Sequence, residues 1–208
     1  MRLEGDELAA WLAARAGKLT ASRMADAIAV KKDGSPTVAR SNLLRDLLAE
    51  RMTGSSVRHY VNPAMEWGLA TEDDAKAAWE ATTGDFIAEA GFYDHPRIDG
   101  FGATPDGLLR PDGLIEIKCP TTPKMVDWMM AGVVPEEHKP QMLAQMACTG
   151  RRWCEFVAFD PRIRNESSRL FVRRYTPKVE EIAAIEAAAE RFLADLDAAW
   201  EILTTAAA

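Results

Sequence analysis

Residues 103–120 read ATPDGLLRPDGLIEIKCP, and this stretch decides the fold. Side chains alternate across a β-strand. Leu114 to Cys119 therefore reads as a strand with Ile115 and Ile117 on the core face and Glu116 and Lys118 together on the other. Pro111-Asp112-Gly113 is a tight turn, and Phe101 to Leu109 reads as the partner strand of a β-hairpin. Asp106 sits at the Pro-Asp-Gly break of that partner, ten residues before Glu116. A short hairpin brings its carboxylate beside Glu116. The expected result is two acids and a lysine on one side of a sheet.

Two nearby carboxylates repel, and one holds a proton unless a cation lies between them. A hard divalent ion with oxygen ligands resolves the conflict. Mg²⁺ keeps several waters and takes only one or two carboxylates, so it suits so sparse a set, with Mn²⁺ as a substitute. Such an ion polarises a phosphodiester and lowers the pKa of a water. Lys118 would orient or activate that water, or counter charge building on the phosphate.

Outward from this segment the pattern is mixed. Residues 5–16, 22–30 and 37–52 read as helices, with Thr20 or Ser22 as a cap for the second. Asn62-Pro63 opens a further helix, which Gly84 ends. Residues 85–93 read as a strand, 123–131 and 137–148 as helices, Trp153–Phe159 and Leu170–Tyr175 as strands. A long helix runs from Thr176-Pro177 to about Leu203, ahead of a frayed tail. The expectation is one domain over 1–208 of α/β (α+β) class, with a mixed central sheet flanked by helices and helical additions at both ends.

Composition narrows the function. The chain has 208 residues and a formal net charge of −7, unevenly spread. Residues 1–60 carry ten Lys/Arg against seven Asp/Glu, residues 61–120 four against twelve, and residues 151–174 seven against three. An acidic middle between basic segments suits a protein that holds cations among carboxylates and grips phosphates alongside. Three cysteines, Cys119, Cys148 and Cys154, are too few for a four-thiolate iron–sulfur cluster. Without a secretion signal they point to a reducing cytoplasm. No apolar run is long enough for a membrane span. The histidines His59, His95 and His138 show no metal-ligand spacing. The six tryptophans read as core, with Trp11 or Trp128 as candidates for stacking on a base.

The joint pattern of Pro-Asp, ten residues, then Glu-x-Lys between apolar residues resembles the catalytic motif of restriction-endonuclease-like nucleases. The wider chain, from near Arg15 to about Pro161, resembles the lambda-exonuclease and YqaJ-type viral recombinase family. AGKLTASRMADAIA is similar to that family's opening block and AMEWGLATEDDAKAAWE to its second. GLIEIKCP is similar to its catalytic strand, and HKPQMLAQMACTGRRWCEFVAFDPR to its glutamine-bearing helix and following strand. The resemblance implies a Mg²⁺-dependent 5′→3′ exonuclease on linear double-stranded DNA that leaves 3′ overhangs for phage-type recombination. It also implies a homo-oligomer, a trimeric ring, and a single-strand annealing protein as partner.

By position, Asp106, Glu116 and the Ile117 carbonyl would ligate metal, and Lys118 would act on the water. Glu72 matches a helix-borne acid near the metals, and Gln141 the glutamine after the catalytic strand. Arg15 and Ser22 fall where the family binds the 5′ phosphate. Lys124 stands where the family has an arginine, and it meets a phosphate as a point charge without the planar fork. A further family acid upstream of Pro-Asp is replaced by Pro96, with Asp94 or Asp99 as neighbours. Two other readings stay open: an endonuclease of the same fold, and a DNA-end-binding recombination partner with weakened catalysis.

Overall fold

The computed structural model describes residues 5–57 and 63–205. The expected cap at Asn62, His59 and the end of the tail lie outside them. The hairpin forms, but it is shorter than expected. Gly107–Leu109 (β4) pairs antiparallel with Gly113–Lys118 (β5), Gly107 opposite Ile115. Trp153–Phe159 (β6) then adds parallel to β5, with Glu116 opposite Phe156, and Leu170–Tyr175 (β7) adds antiparallel to β6. The four strands form one mixed sheet in the order β4-β5-β6-β7.

The expected strand 101–109 is two strands. Phe101–Ala103 (β3) leaves for a second, three-stranded sheet, where it lies between Leu19–Thr20 (β1) and Tyr93–Asp94 (β2). Thr104-Pro105-Asp106 is the break. Proline lacks the N–H that a continuing ladder needs. Gly107 then lets the chain pass close beneath its neighbour: a Cβ there would lie 2.2 Å from Ile87 Cγ2. The expected strand over 85–93 is largely absent. A single bridge joins Ala88 to Leu108, and only Tyr93–Asp94 pairs further.

Helices cover both faces of the mixed sheet. Pro63–Thr83 (α4) lays Ala75 and Trp79 on Leu109, Ile115, Ile117, Val157 and Phe159. Thr122–Ala131 (α5) and Lys139–Thr149 (α6) cover the other face, where Met125, Met142, Ala144 and Met146 join Leu114, Cys154 and Phe156 in the main core. Gly150, at φ 70°, ends α6 in a left-handed cap that returns its N–H to Met146 O.

The helical additions stand at both ends, as expected. Gly5–Arg15 (α1), Met24–Ala27 (α2) and Val38–Thr53 (α3) precede the sheet, and Val179–Thr205 (α7) closes the described chain. The helix expected over 22–30 shrinks to the four residues of α2, after a 3-10 turn at Ala21–Arg23 whose N-cap Thr20 makes no side-chain cap bond. The pairs Arg40–Asp195 and Arg51–Asp197, both 2.7 Å, tie α3 to α7. Among the described residues, no helix is long and apolar enough to cross a membrane.

Candidate active site

The Pro-Asp break carries Asp106 to the rim of the mixed sheet, one strand away from Glu116. There the Ile117 N–H donates to Asp106 Oδ2 at 2.7 Å, which pins the acid to β5 through its backbone. Glu116 is fully buried, and its two oxygens meet different neighbours. Oε2 accepts from Gln145 Nε2 at 2.6 Å. Oε1 lies 2.5 Å from Lys118 Nζ, a close ion pair with no aligned hydrogen bond. Strand alternation therefore put Glu116 and Lys118 on one face, as expected, but that face is not open. Helix α6 roofs Glu116, and only the Lys118 end reaches the surface.

A cleft of about 380 Å³ opens over this cluster, lined by Gly68, Leu69, Glu72, Asp106, Lys118 and Trp128 among others. A second hollow of about 330 Å³ shares Glu72 and Asp106 and extends to Trp11, Glu89 and Thr104. Glu72 comes from α4, one turn before Ala75. Its Oε1 meets Lys76 Nζ at 2.7 Å.

Electrostatics follow from this crowding. Burial, then the neighbouring Glu116, push the Asp106 carboxyl well above the usual carboxylate range; Glu72 adds to the push, and Lys118 opposes it. Burial works against the Lys118 ammonium. The charges of Glu116 and Asp106 outweigh it, and the pKa of Lys118 rises. The half-buried Cys119 thiol is pushed up to about 12 by burial and by Glu72 and Asp106.

The donor set fits a hard divalent ion. Glu116 Oε1 is buried, and the polar group beside it is the Lys118 ammonium at the cleft mouth. A second carboxylate is so near that the two disfavour each other's charge. Among the described residues, no three His, Cys, Asp or Glu side chains group closely enough to enclose an ion by themselves. Two carboxylates and a backbone carbonyl, with water completing the shell, is the sparse set Mg²⁺ accepts.

The other expected residues, Arg15, Ser22, Lys124 and Gln141, line neither hollow. Arg15 stacks its guanidinium 3.9 Å above the Trp11 ring, and Trp11 Nε1 donates to Thr104 Oγ1 at 3.3 Å, two residues from Asp106. Ser22 is exposed, its Oγ 3.3 Å from Thr20 Oγ1. Lys124 pairs with Glu137 at 2.9 Å and lies 5.5 Å from the Trp128 ring centre. Gln141 is half-buried and makes no hydrogen bond to the acids among the described residues; Gln145, one turn on, makes it instead. Asp94 turns to Lys18 at 2.6 Å, and Asp99 is exposed; neither lines the two hollows, whereas Glu89 does.

Part of the basic segment reaches the cleft. Arg162 donates to the carbonyl of Pro120, a residue of the cleft wall, at 2.7 Å, and lies 4.5 Å over Trp67. Sequence spacing sets Gln141 and Gln145 one helical turn apart, both expected to face DNA with nothing independent behind Gln145; instead the lone amide in the run Met142-Leu143-Ala144-Gln145-Met146-Ala147 turns to a buried partner.

Fold and site together define a nuclease of the restriction-endonuclease-like class. The model of the YqaJ-like viral recombinase domain matches residues 10–152. Among solved structures, the chain is similar to the alkaline exonuclease LHK-Exo from Laribacter hongkongensis, with 41% identity and a TM-score of 0.87 over 96% of this chain and 97% of that one. The same figures hold for LHK-Exo in complex with dAMP. A phage-related exonuclease from Haemophilus somnus 129PT, at 15% identity and a TM-score of 0.62 over 92% of this chain and 96% of that one, shares the fold. No curated protein matches. The chain belongs to the YqaJ-like viral recombinase domain family.

Proposed function

We propose that this protein is a Mg²⁺-dependent exonuclease that digests linear double-stranded DNA from the 5′ end and leaves 3′ overhangs for recombination. One observation carries the reading: Asp106, Glu116 and Lys118 converge at a cleft floor, with both acids held in place and the lysine facing the opening. The 41% identity to an alkaline exonuclease over nearly the whole chain supports it, as does that relative's complex with dAMP.

In this reading Asp106, Glu116 and the Ile117 carbonyl hold the ion, with Glu72 at its margin. When bound, the ion supplies Lewis acidity to the phosphodiester and lowers the pKa of a water. Lys118 orients the attacking water and faces the charge that builds on the phosphate. Arg15, Ser22 and Lys124, assigned by the family resemblance, receive the 5′ phosphate. The family also suggests a trimeric ring, a single-strand annealing partner and a cytoplasmic setting in a bacterial host.

The test is digestion of an end-labelled linear duplex bearing 5′-phosphate or 5′-hydroxyl ends, beside a closed circle, with and without Mg²⁺. Loss of the phosphorylated strand from its 5′ end, only with Mg²⁺, is the expected outcome. Cutting of the circle would instead make the protein an endonuclease, and retention of DNA without cleavage would make it a binding protein.

A further inference from the structure

Gln145 sits behind the catalytic strand with no part in the chemistry above. It projects from α6 into the main core and is fully buried. Its Nε2 lies 2.6 Å from Glu116 Oε2. The orientation of the amide is dictated by its neighbour. Turned over, its carbonyl oxygen would face a carboxylate oxygen at that distance, acceptor against acceptor. The amide's own Oε1 is buried and has no partner. A residue selected for packing alone would be apolar here, as Met142 and Met146 on the same helix are. The polar end of Gln145 therefore makes one contact, and that contact is with the acid under the cleft.

We propose that Gln145 is a positioning residue that fixes the Glu116 carboxylate in one orientation, with Oε2 tied back to α6 and Oε1 presented toward Lys118 and the metal. This rests on the metal-dependent reading of the site. A carboxylate on a strand pivots about its terminal bond. One charge-assisted hydrogen bond to a rigid, buried helix removes that freedom before any ion arrives. Outer partners that orient a ligand typically contribute ~10- to 100-fold to metal affinity or activity.

The experiment is a titration of the intact protein with Mn²⁺ alone, free ion read by electron paramagnetic resonance, beside thermal melts without metal. Gln145→Met keeps length and bulk and removes the donor. Gln145→Asn keeps the amide but is one methylene too short to reach. Both should bind Mn²⁺ about ten-fold or more weaker than wild type. The Met variant should melt within a few degrees of wild type, or above it, because the unpartnered carbonyl is also gone. Mn²⁺ affinity equal to wild type in a folded variant, with or without a lowered melt, overturns the proposal. If the Met variant does not melt cooperatively, the Asn variant decides by the same affinity. Wild type that neither binds Mn²⁺ nor needs a metal for digestion sinks the metal reading itself. Wild type that binds, with Gln145→Met binding equally, sinks only the role of Gln145.

Discussion

The two faces of β5 are both largely buried, and they differ in chemistry. On one, Ile115 and Ile117 press against Ala75 and Trp79 of α4, and the acid beside them, Glu155 opposite Ile115 on β6, accepts from Trp79 Nε1 at 2.8 Å. On the other, Leu114 enters the main core, but Glu116 beside it is just as buried and is an acid. The apolar face holds the strand still; the charged face uses that stillness. Burying an acid next to Asp106 is unfavourable for a bare protein, and it becomes useful once a cation is present. If this division is right, substitutions on the two faces should separate rate from stability.

The largest separation is expected at Glu116→Gln. It keeps the shape and removes one of two crowded buried carboxylates. Digestion with Mg²⁺ should fall ~100- to 1,000-fold, by analogy with loss of one electrostatic contributor to a transition state. The metal-free melting midpoint should hold or rise. A large drop in midpoint would mean that the charged face is also structural.

The opposite outcome is expected at Ile117→Ala. The backbone N–H that holds Asp106 remains, but the side chain leaves a cavity under α4. Unfolding free energy should fall by about 2–5 kcal/mol in chemical denaturation. Turnover measured well below the new midpoint should stay within several-fold of wild type. A loss as deep as that of Glu116→Gln would erase the distinction between the faces.

Between them lies Gly107→Ala, at the junction that aims Asp106. The added methyl meets the stiff β-branch of Ile87, 2.2 Å from the ideal position. A cost of about 1–3 kcal/mol is expected, together with reduced cleavage, because relief of the clash moves the Pro-Asp break. Unchanged stability and rate would show that Ile87 gives way freely.

These contrasts also mark what was legible in the sequence. Alternation located the Glu116–Lys118 pair, and β6 and β7 have the expected bounds because both are runs of β-branched and aromatic residues. Alternation does not reveal depth, so the roof that α6 places over Glu116 was invisible. The strand expected at 85–93 fails where Ala88-Glu89-Ala90-Gly91 offers neither β-propensity nor an apolar face. The hairpin is shorter than the sequence pattern predicts because Pro105 ends a strand that the pattern carries through to Leu109. The family resemblance points to Gln141. Its side chain stays half-buried, and the helical period brings Gln145 to the acid.

The cysteines give the smallest effect and the finest probe of the charged face. Cys154 lies opposite Leu114 on β6, the same face as Glu116. Burial first, then Glu116 and Asp106, push its thiol well above the ordinary range. Cys148, on α6, is pushed up to about 12, mainly by burial. Only the thiolate reacts with an alkylating agent, so a raised pKa slows labelling. An exposed thiol with a pKa near ~8.5 would label readily at mildly alkaline pH. Here Cys148 and Cys154 should resist iodoacetamide in the native protein and label only on unfolding, as read by mass spectrometry. Half-buried Cys119, also held near about 12, should label slowly, and faster in Asp106→Asn, which removes one of the charges opposing its thiolate. Equal rates in wild type and variant would mean that the charge of Asp106 does not reach past the end of β5, and that desolvation and Glu72 set the thiol.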